Sequence, residues 1–458
     1  MKHDTSLSAA RARLSVLGVF ISVGFLLIAF ALMYWTIFQG SSILSRDDNP
    51  RLVQQELNIQ RGTIYDANNN ILAETVGAPG SLQRVYPIVE SGPAVGYYSF
   101  RHGTTGIEEG LDSELRGQVN NPWESWWHND VLHEKVIGRD VRLTLDARWQ
   151  QAADELLGEK PGSVILFTIP DFSIRAMVSK PGYDPNQLDE TFDSLAQDER
   201  GPLVNRATQG LYQPGLVVEP FILARAIADG LVSLDEIVLD ADQPVAVNGN
   251  LLSCEQTTED ETDWRTIFLN KCPHPLTQLA RQIGEVGILG IYDQFGLFES
   301  PILPITTESG DRRAIKSLEL AGIGQDEQTV SPLQVARAFA ALVNSGVLPQ
   351  FSLVSAIQNE KGDWQVINQN GEASDMIPAR AASVVLEAMP VERGITEYSV
   401  LVLSGPEGST NSWYLGLAPA NAPRYGVVVV VEDSDGQHSA DQIGQALLNL
   451  SLEGGSTN

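Results

Sequence analysis

The stretch LYQPGLVVEPFILARAIADG, Leu211–Gly230, reads as a turn followed by an apolar helix that stops at a glycine. One residue breaks the pattern. Glu219 stands in the first turn of that helix, between the branched aliphatics Leu216, Val217 and Val218 and the proline at 220. An acid there meets the positive end of the helix macrodipole, a gain of about 0.3–1 kcal/mol. Ordinary helix chemistry therefore accounts for Glu219 as well as a lost or altered function does.

On either side of this helix the pattern changes period. Upstream, RDVRLTLDARWQQAADELLG (139–158) is a strand running into an amphipathic helix, and GSVILFTIPDFSIRAMVSKPGYDPN (162–186) is two apolar β-type runs joined at Pro170-Asp171, an antiparallel hairpin. Downstream come the helical stretches PLTQLARQIGEVG (275–287) and SPLQVARAFAALVNSG (331–346), the latter with Ser331 as N-cap and Pro332 at the first helical position. Strands return in YSVLVLSG (398–405), NSWYLGLAP (411–419) and YGVVVVVED (425–433), and the chain closes on the amphipathic helix SADQIGQALLNLSL (439–452). Strands at both ends with helices between predict an α+β domain whose two ends share one central antiparallel sheet, with helices on both faces.

The chain has 458 residues, 43% of them hydrophobic, enough for more than one core. Asp and Glu number 58 against 30 Lys and Arg, a net charge of −28 that argues against nucleic acid or an anionic lipid surface as a partner. Residues 14–38, LSVLGVFISVGFLLIAFALMYWTIF, form an uncharged run of about 25 residues, long enough to cross a bilayer. Tyr34 and Trp35 suit the interface, and Lys2, Arg11 and Arg13 before the run predict a cytoplasmic N-terminus. The expectation is a single-pass membrane protein with a tail at 1–13, an anchor at 14–38, and the rest outside the cytoplasm. The aromatic cluster WESWW (Trp123, Trp126, Trp127) is expected to pack against a neighbouring domain rather than to bind sugar. Cys254 and Cys272 can form a disulfide in an oxidising compartment or stay as two buried thiols. Six histidines, none at a usual ligand spacing from these cysteines, predict no metal site, and no cofactor is expected.

Several segments, taken in order, resemble a known family. RGTIYDANNNILA (61–73) and YYSFRHGTTGIEEGLDSELRG (97–117) resemble the first extracytoplasmic part of class B penicillin-binding proteins, the single-span peptidoglycan D,D-transpeptidases, in their compact actinobacterial form. TLDARWQQAA, AMVSKPGYDPN, LVNRATQGLYQPG, AGIGQDEQTVSPLQVARAFAALVNSG and SWYLGLAPANAPRYGVVVVVE resemble segments of their transpeptidase domain. The resemblance implies a membrane-proximal dimerisation or pedestal-like domain at 44–140 and a transpeptidase-like domain at 141–454.

It also implies three motifs around one cleft: S-x-x-K at a helix start, where the lysine activates the serine; S-x-N; and K-T-G on a strand. In YQPGLVVEP the serine position is Leu216 and the lysine position Glu219. KCPHPLTQL puts Lys271 and Pro273 at the S-x-N positions, and VLVLSGPEG puts Leu403, Ser404 and Gly405 at K-T-G. No lysine after the anchor has a serine three residues before it or Ser/Thr-Gly after it, and the S-x-N strings at Ser409–Asn411 and Ser456–Asn458 lie elsewhere. The motifs thus read as degenerate, with no catalytic residue among them.

The resulting expectation is a pseudoenzyme rather than an enzyme, a scaffold or regulator in peptidoglycan synthesis or cell division that engages membrane-embedded cell-wall synthesis proteins such as a glycosyltransferase. Two alternatives stay open. The altered cleft could bind peptidoglycan peptides, with Glu219 and Lys271 as contacts, or the chain could be an active transpeptidase-like enzyme using another nucleophile such as Ser404 or Ser409.

Overall fold

The structure is a computed structural model, and it describes residues 4–37, 59–78, 80–117, 137–259, 261–367, 374–375, 377–404 and 408–454. Trp123, Trp126, Trp127 and Gly405 lie outside the described residues. Helix α1 (Asp4–Ile37) contains the apolar span Ser15–Trp35. Val16, Phe20, Phe25, Leu27 and Phe30 are all exposed along it. A helix apolar on every side finds its solvent in lipid, and α1 fits a single-pass anchor.

The remaining chain is mixed α and β. Its strands, in chain order, include β1 (Ile64–Tyr65), β2 (Ile71–Val76), β3 (Gln83–Val85), β4 (Val141–Leu143), β5 (Gly162–Thr168) and β6 (Ile174–Lys180). After the helices come β7 (Val354–Gln358), β8 (Trp364–Val366), β9 (Val391–Glu392), β10 (Ile395–Leu403), β11 (Thr410–Ala418) and β12 (Tyr425–Val431). Among the described residues these form two six-stranded sheets.

The central sheet runs β9-β10-β11-β12-β5-β6, every pair antiparallel. Strands from the two ends of the domain meet where Val428 pairs with Ile165, as the sequence predicts. Period-two alternation divides the sheet's side chains between two cores. Val164, Leu166, Val427 and Val429 face one side, where α2 (Ala147–Leu157) brings Ala153 and Leu157 and the C-terminal helix Ser439–Gly454 brings Ile443 and Leu447. Ile165, Phe167, Val428 and Val430 face the other, with Phe221 and Ile222 of α3 (Glu219–Ala228) and Phe339 of the helix Pro332–Val343. That last helix starts as its sequence predicts, with Ser331 and Gln334 forming a reciprocal capping box.

The second sheet runs β8-β7-β4-β1-β2-β3 and joins strands from both sides of residue 140, with β1 and β4 parallel. The RGTIYD segment supplies its fastenings. Arg61 is buried and donates through Nε to Glu108 Oε2 (3.0 Å), through Nη2 to the Glu108 carbonyl (2.9 Å) and through Nη1 to Asp112 (2.5 Å). Arg84 donates to the other Glu108 oxygen at 2.6 Å. Asp66, fully buried, accepts from the backbone of Asn68 and Asn70 in the hairpin turn and from Ala147 N (3.0 Å) at the start of α2. One short motif thereby closes a hairpin and docks a helix.

Cys254 and Cys272 are bonded, 18 residues apart. The bond ties the segment before α4 (Trp264–Asn270) to the start of α5 (Pro273–Gln294), whose first helical residue is Pro273. Reducing it, or replacing both cysteines by alanine, is expected to cost about 3 kcal/mol, the usual value for a loop near this length. Urea unfolding with and without reductant checks this, and an unchanged midpoint would count against it.

Candidate functional site

The helix start at 211–219 is built around glycine. Gly215 has φ +54° and donates its N–H to the Gly324 carbonyl at 2.9 Å. A side chain on Gly215 would meet the Val402 side chain at 2.6 Å, and one on Gly324 would meet the Gly215 carbonyl at 2.2 Å. Only backbone fits there, so Gly215–Val218 turns tightly as a 3₁₀ segment wedged between the 324 loop and strand β10, and α3 follows from Glu219. Its far end is capped as expected: Gly230 (φ +70°) donates to Ile227, and Leu231 donates to Ala226.

Glu219 does not face solvent at the helix end, where the macrodipole reading would leave it. Its exposure is 0%. The Tyr398 hydroxyl of β10 lies 2.6 Å from Glu219 Oε2 and 2.9 Å from the Leu216 carbonyl oxygen. Tyr398 is itself buried, stacked on Phe268 of α4 with ring centroids 5.2 Å apart. Lys271, left-handed at φ +50° between α4 and α5, places Nζ 4.9 Å from the centre of the Tyr398 ring and donates to the Leu269 carbonyl at 2.9 Å. Burial pushes the Glu219 carboxyl up to about 8, against the opposing hydrogen bond of Tyr398 and the charge of Lys271. Burial also raises Glu255, which Lys271 and His438 oppose. His438 lies 3.8 Å from Glu255 and 3.6 Å from Asp441, and burial raises Asp441 to about 6.

The structure thus gathers Leu216, Glu219 and Lys271 around one tyrosine, with Leu403 at the end of the same strand. Pro273 is buried at the head of α5, and Leu403 is almost covered. Ser404 lies at the rim, where its N–H donates to the Ser409 carbonyl at 2.7 Å. Sequence reading missed Tyr398. Its signal was present: a tyrosine on the inward period of β10 needs a partner for its hydroxyl, and the sequence offered Glu219 with none.

The peptide-contact expectation for Glu219 and Lys271 meets a physical obstacle, since their exposures are 0% and 6%. Both are spent on Tyr398 and its surroundings. Arg61 and Asp66 are likewise buried, so the RGTIYD segment acts inside the fold.

Residues 162–392 match the penicillin-binding protein transpeptidase domain, and residues 61–141 match the penicillin-binding protein A dimerisation domain. The chain belongs to the penicillin-binding protein transpeptidase family. It is 25% identical over 468 residues to the peptidoglycan D,D-transpeptidase PbpA of Mycobacterium tuberculosis, covering 91% of this chain and 94% of the relative. With PbpA of Mycolicibacterium smegmatis it shares 25% over 467 residues, covering 92% and 94%. The fold is that of penicillin-binding protein A from M. tuberculosis, solved as an imipenem acyl-enzyme complex, at TM-score 0.77 and 24% identity over 87% of this chain and 100% of that one. These relatives correct the expectation that the chain is not an enzyme. They are named D,D-transpeptidases along nine-tenths of its length, and the chain stands in an enzyme family.

Proposed function

We propose that this chain serves peptidoglycan synthesis at the bacterial cytoplasmic membrane as an organising member of the transpeptidase family. It is anchored by α1 with its N-terminus in the cytoplasm and engages membrane-embedded cell-wall synthesis proteins such as a glycosyltransferase. The observation that carries this reading is the contrast between two regions. At the helix start, Leu216 and Glu219 are closed in against Tyr398. The membrane-proximal part is held by the buried network of Arg61, Arg84 and Glu108. A partner role rests on the anchor and the membrane-proximal part, and asks nothing of residues 216 and 219. The test is cross-linking of the full-length chain in native membranes. A polytopic glycosyltransferase should co-purify, and its absence under conditions that preserve known membrane assemblies overturns the reading.

A second reading is favoured by the names of the relatives: peptide exchange performed by this chain itself. The S-x-x-K pair is Leu216 and Glu219, so the hydroxyl would come from elsewhere, with Ser404 and Ser409 the candidates at the end of β10 and before β11. A fluorescent β-lactam decides it, because a covalent adduct requires an activated nucleophile. An adduct mapped to either serine assigns acyl transfer to this chain, and an unlabelled, folded chain removes the reading.

A further inference from the structure

The contacts of Tyr398 demand one more proton than a phenol owns. Its oxygen lies within hydrogen-bond distance of two acceptors, Glu219 Oε2 at 2.6 Å and the Leu216 carbonyl at 2.9 Å. A phenol carries one O–H and donates once. If Glu219 were ionised, one of the two would face a bare lone pair at close range. A proton on Glu219 Oε2 resolves the conflict: the acid donates to Tyr398 Oη, and Tyr398 donates to the Leu216 carbonyl. The two contacts then run in series and each has its hydrogen.

A second observation points the same way. Glu219 Oε1 is buried and has no hydrogen-bond partner among the described residues. An unpaired carboxylate oxygen away from water is costly, whereas the carbonyl oxygen of a neutral acid carries little charge to solvate.

We propose that Glu219, Tyr398 and the Leu216 carbonyl form a proton-dependent latch, in which the neutral acid holds the 3₁₀ turn Gly215–Val218 against strand β10 and loss of that proton releases it. What the latch holds is the backbone of Leu216, whose carbonyl is the relay's last acceptor.

The groups acting on Glu219 come from the elements around it. Tyr398 lies on β10, Lys271 sits between α4 and α5, and Glu255 precedes α4, with His438 beyond it. Lys271 favours ionisation of Glu219 while Glu255 opposes it, and burial outweighs both, raising the carboxyl to about 8. The latch is therefore shut in neutral and acidic surroundings and opens on the alkaline side. The sign follows from a raised folded-state value. The stabilisation is whole below the ordinary glutamate range, and is lost as pH rises through about 8.

The test uses the full-length chain in detergent. Infrared difference spectra of protein labelled with carbon-13 in glutamate should show a protonated carboxyl stretch at neutral pH that fades on the alkaline side and is missing from Glu219→Gln. Amide exchange at Leu216–Val218, corrected for its intrinsic pH dependence, should accelerate about tenfold or more in alkali in the parent. In Glu219→Gln, whose amide donates to Tyr398 at every pH, exchange should stay flat. Glu255→Gln and Asp441→Asn should leave the alkaline release in place. If Glu219→Gln fails to fold, Tyr398→Phe carries the test, since it removes the acceptor and must shift the carboxyl stretch. A parent spectrum without the band, alkaline release that persists in Glu219→Gln, or a stretch unmoved in Tyr398→Phe each overturns the latch.

Discussion

Glu219→Lys is expected to be the most damaging single change at the helix start, costing about 3–5 kcal/mol, the range for an uncompensated buried charge. The position has no exposure, and Lys271 already brings one ammonium to the Tyr398 ring. A second ammonium there would find a phenol, the Leu216 carbonyl and a like charge, with Glu255 the nearby acid to answer both. Macrodipole repulsion alone would cost about 0.3–1 kcal/mol, so the size of the loss separates a helix-end effect from a burial effect. Leu216→Ser combined with Glu219→Lys, which rebuilds the S-x-x-K pattern, should be no more stable than Glu219→Lys alone. Leu216 is nearly covered, and a serine there gives up apolar burial. Urea or thermal unfolding of the variants decides the matter. A Glu219→Lys chain within 1 kcal/mol of the parent, on the scale of an exposed site, would show that the buried geometry is wrong.

A loss of similar size is expected from Glu108→Ala. The Glu108 side chain has 0% exposure, and those of Arg61 and Arg84 have 2% and 3%. Removing the carboxylate leaves the two guanidiniums that share it with their charge partly unanswered. Asp112 still holds one arm of Arg61, and Gly62 and Thr75 still accept from Arg84. Breaking a buried pair in this way costs about 3–5 kcal/mol, most of it the stranded charge. The control is the double variant Arg84→Met, Glu108→Met. Exchanging partners together for apolar residues should recover much of the loss, although Arg61 still keeps a burden. If Glu108→Ala alone unfolds at the parent's midpoint, the network is ornamental and the RGTIYD segment needs another explanation.

Much of the fold was legible because it rests on local periods. The doubled apolar runs at 162–180, the alternating strands at 398–431 and the capped helix at 331–343 each carry their own signal, and their order dictates one shared antiparallel sheet. The second sheet was less legible. β4 is three residues long and pairs with β1 across 77 residues of chain (Ile64 with Val141), with no local pattern to announce it. At the site, the sequence located Leu216, Glu219 and Lys271 but not what they do, because the group that organises them sits some 180 residues away on another strand. Glu219 looked like a helix-end acid because propensity sees only neighbours in sequence. Burial and a tyrosine from β10 decide its state.

The short strand Val141–Leu143 has a consequence for how this chain can be divided. It pairs on one side with Ile64–Tyr65 and on the other with Val354–Ile357, so it is common property of the segments before and after it. A protein begun at residue 141 would keep the strand but strip one flank, turning an interior strand into a bare edge open to pairing with a neighbour. It would also lose Asp66, which holds the first turn of α2. The segments that match the dimerisation and transpeptidase domains are therefore not beads on a string. They inherit one sheet jointly, and a transplant that moves either alone must carry a substitute for the missing half.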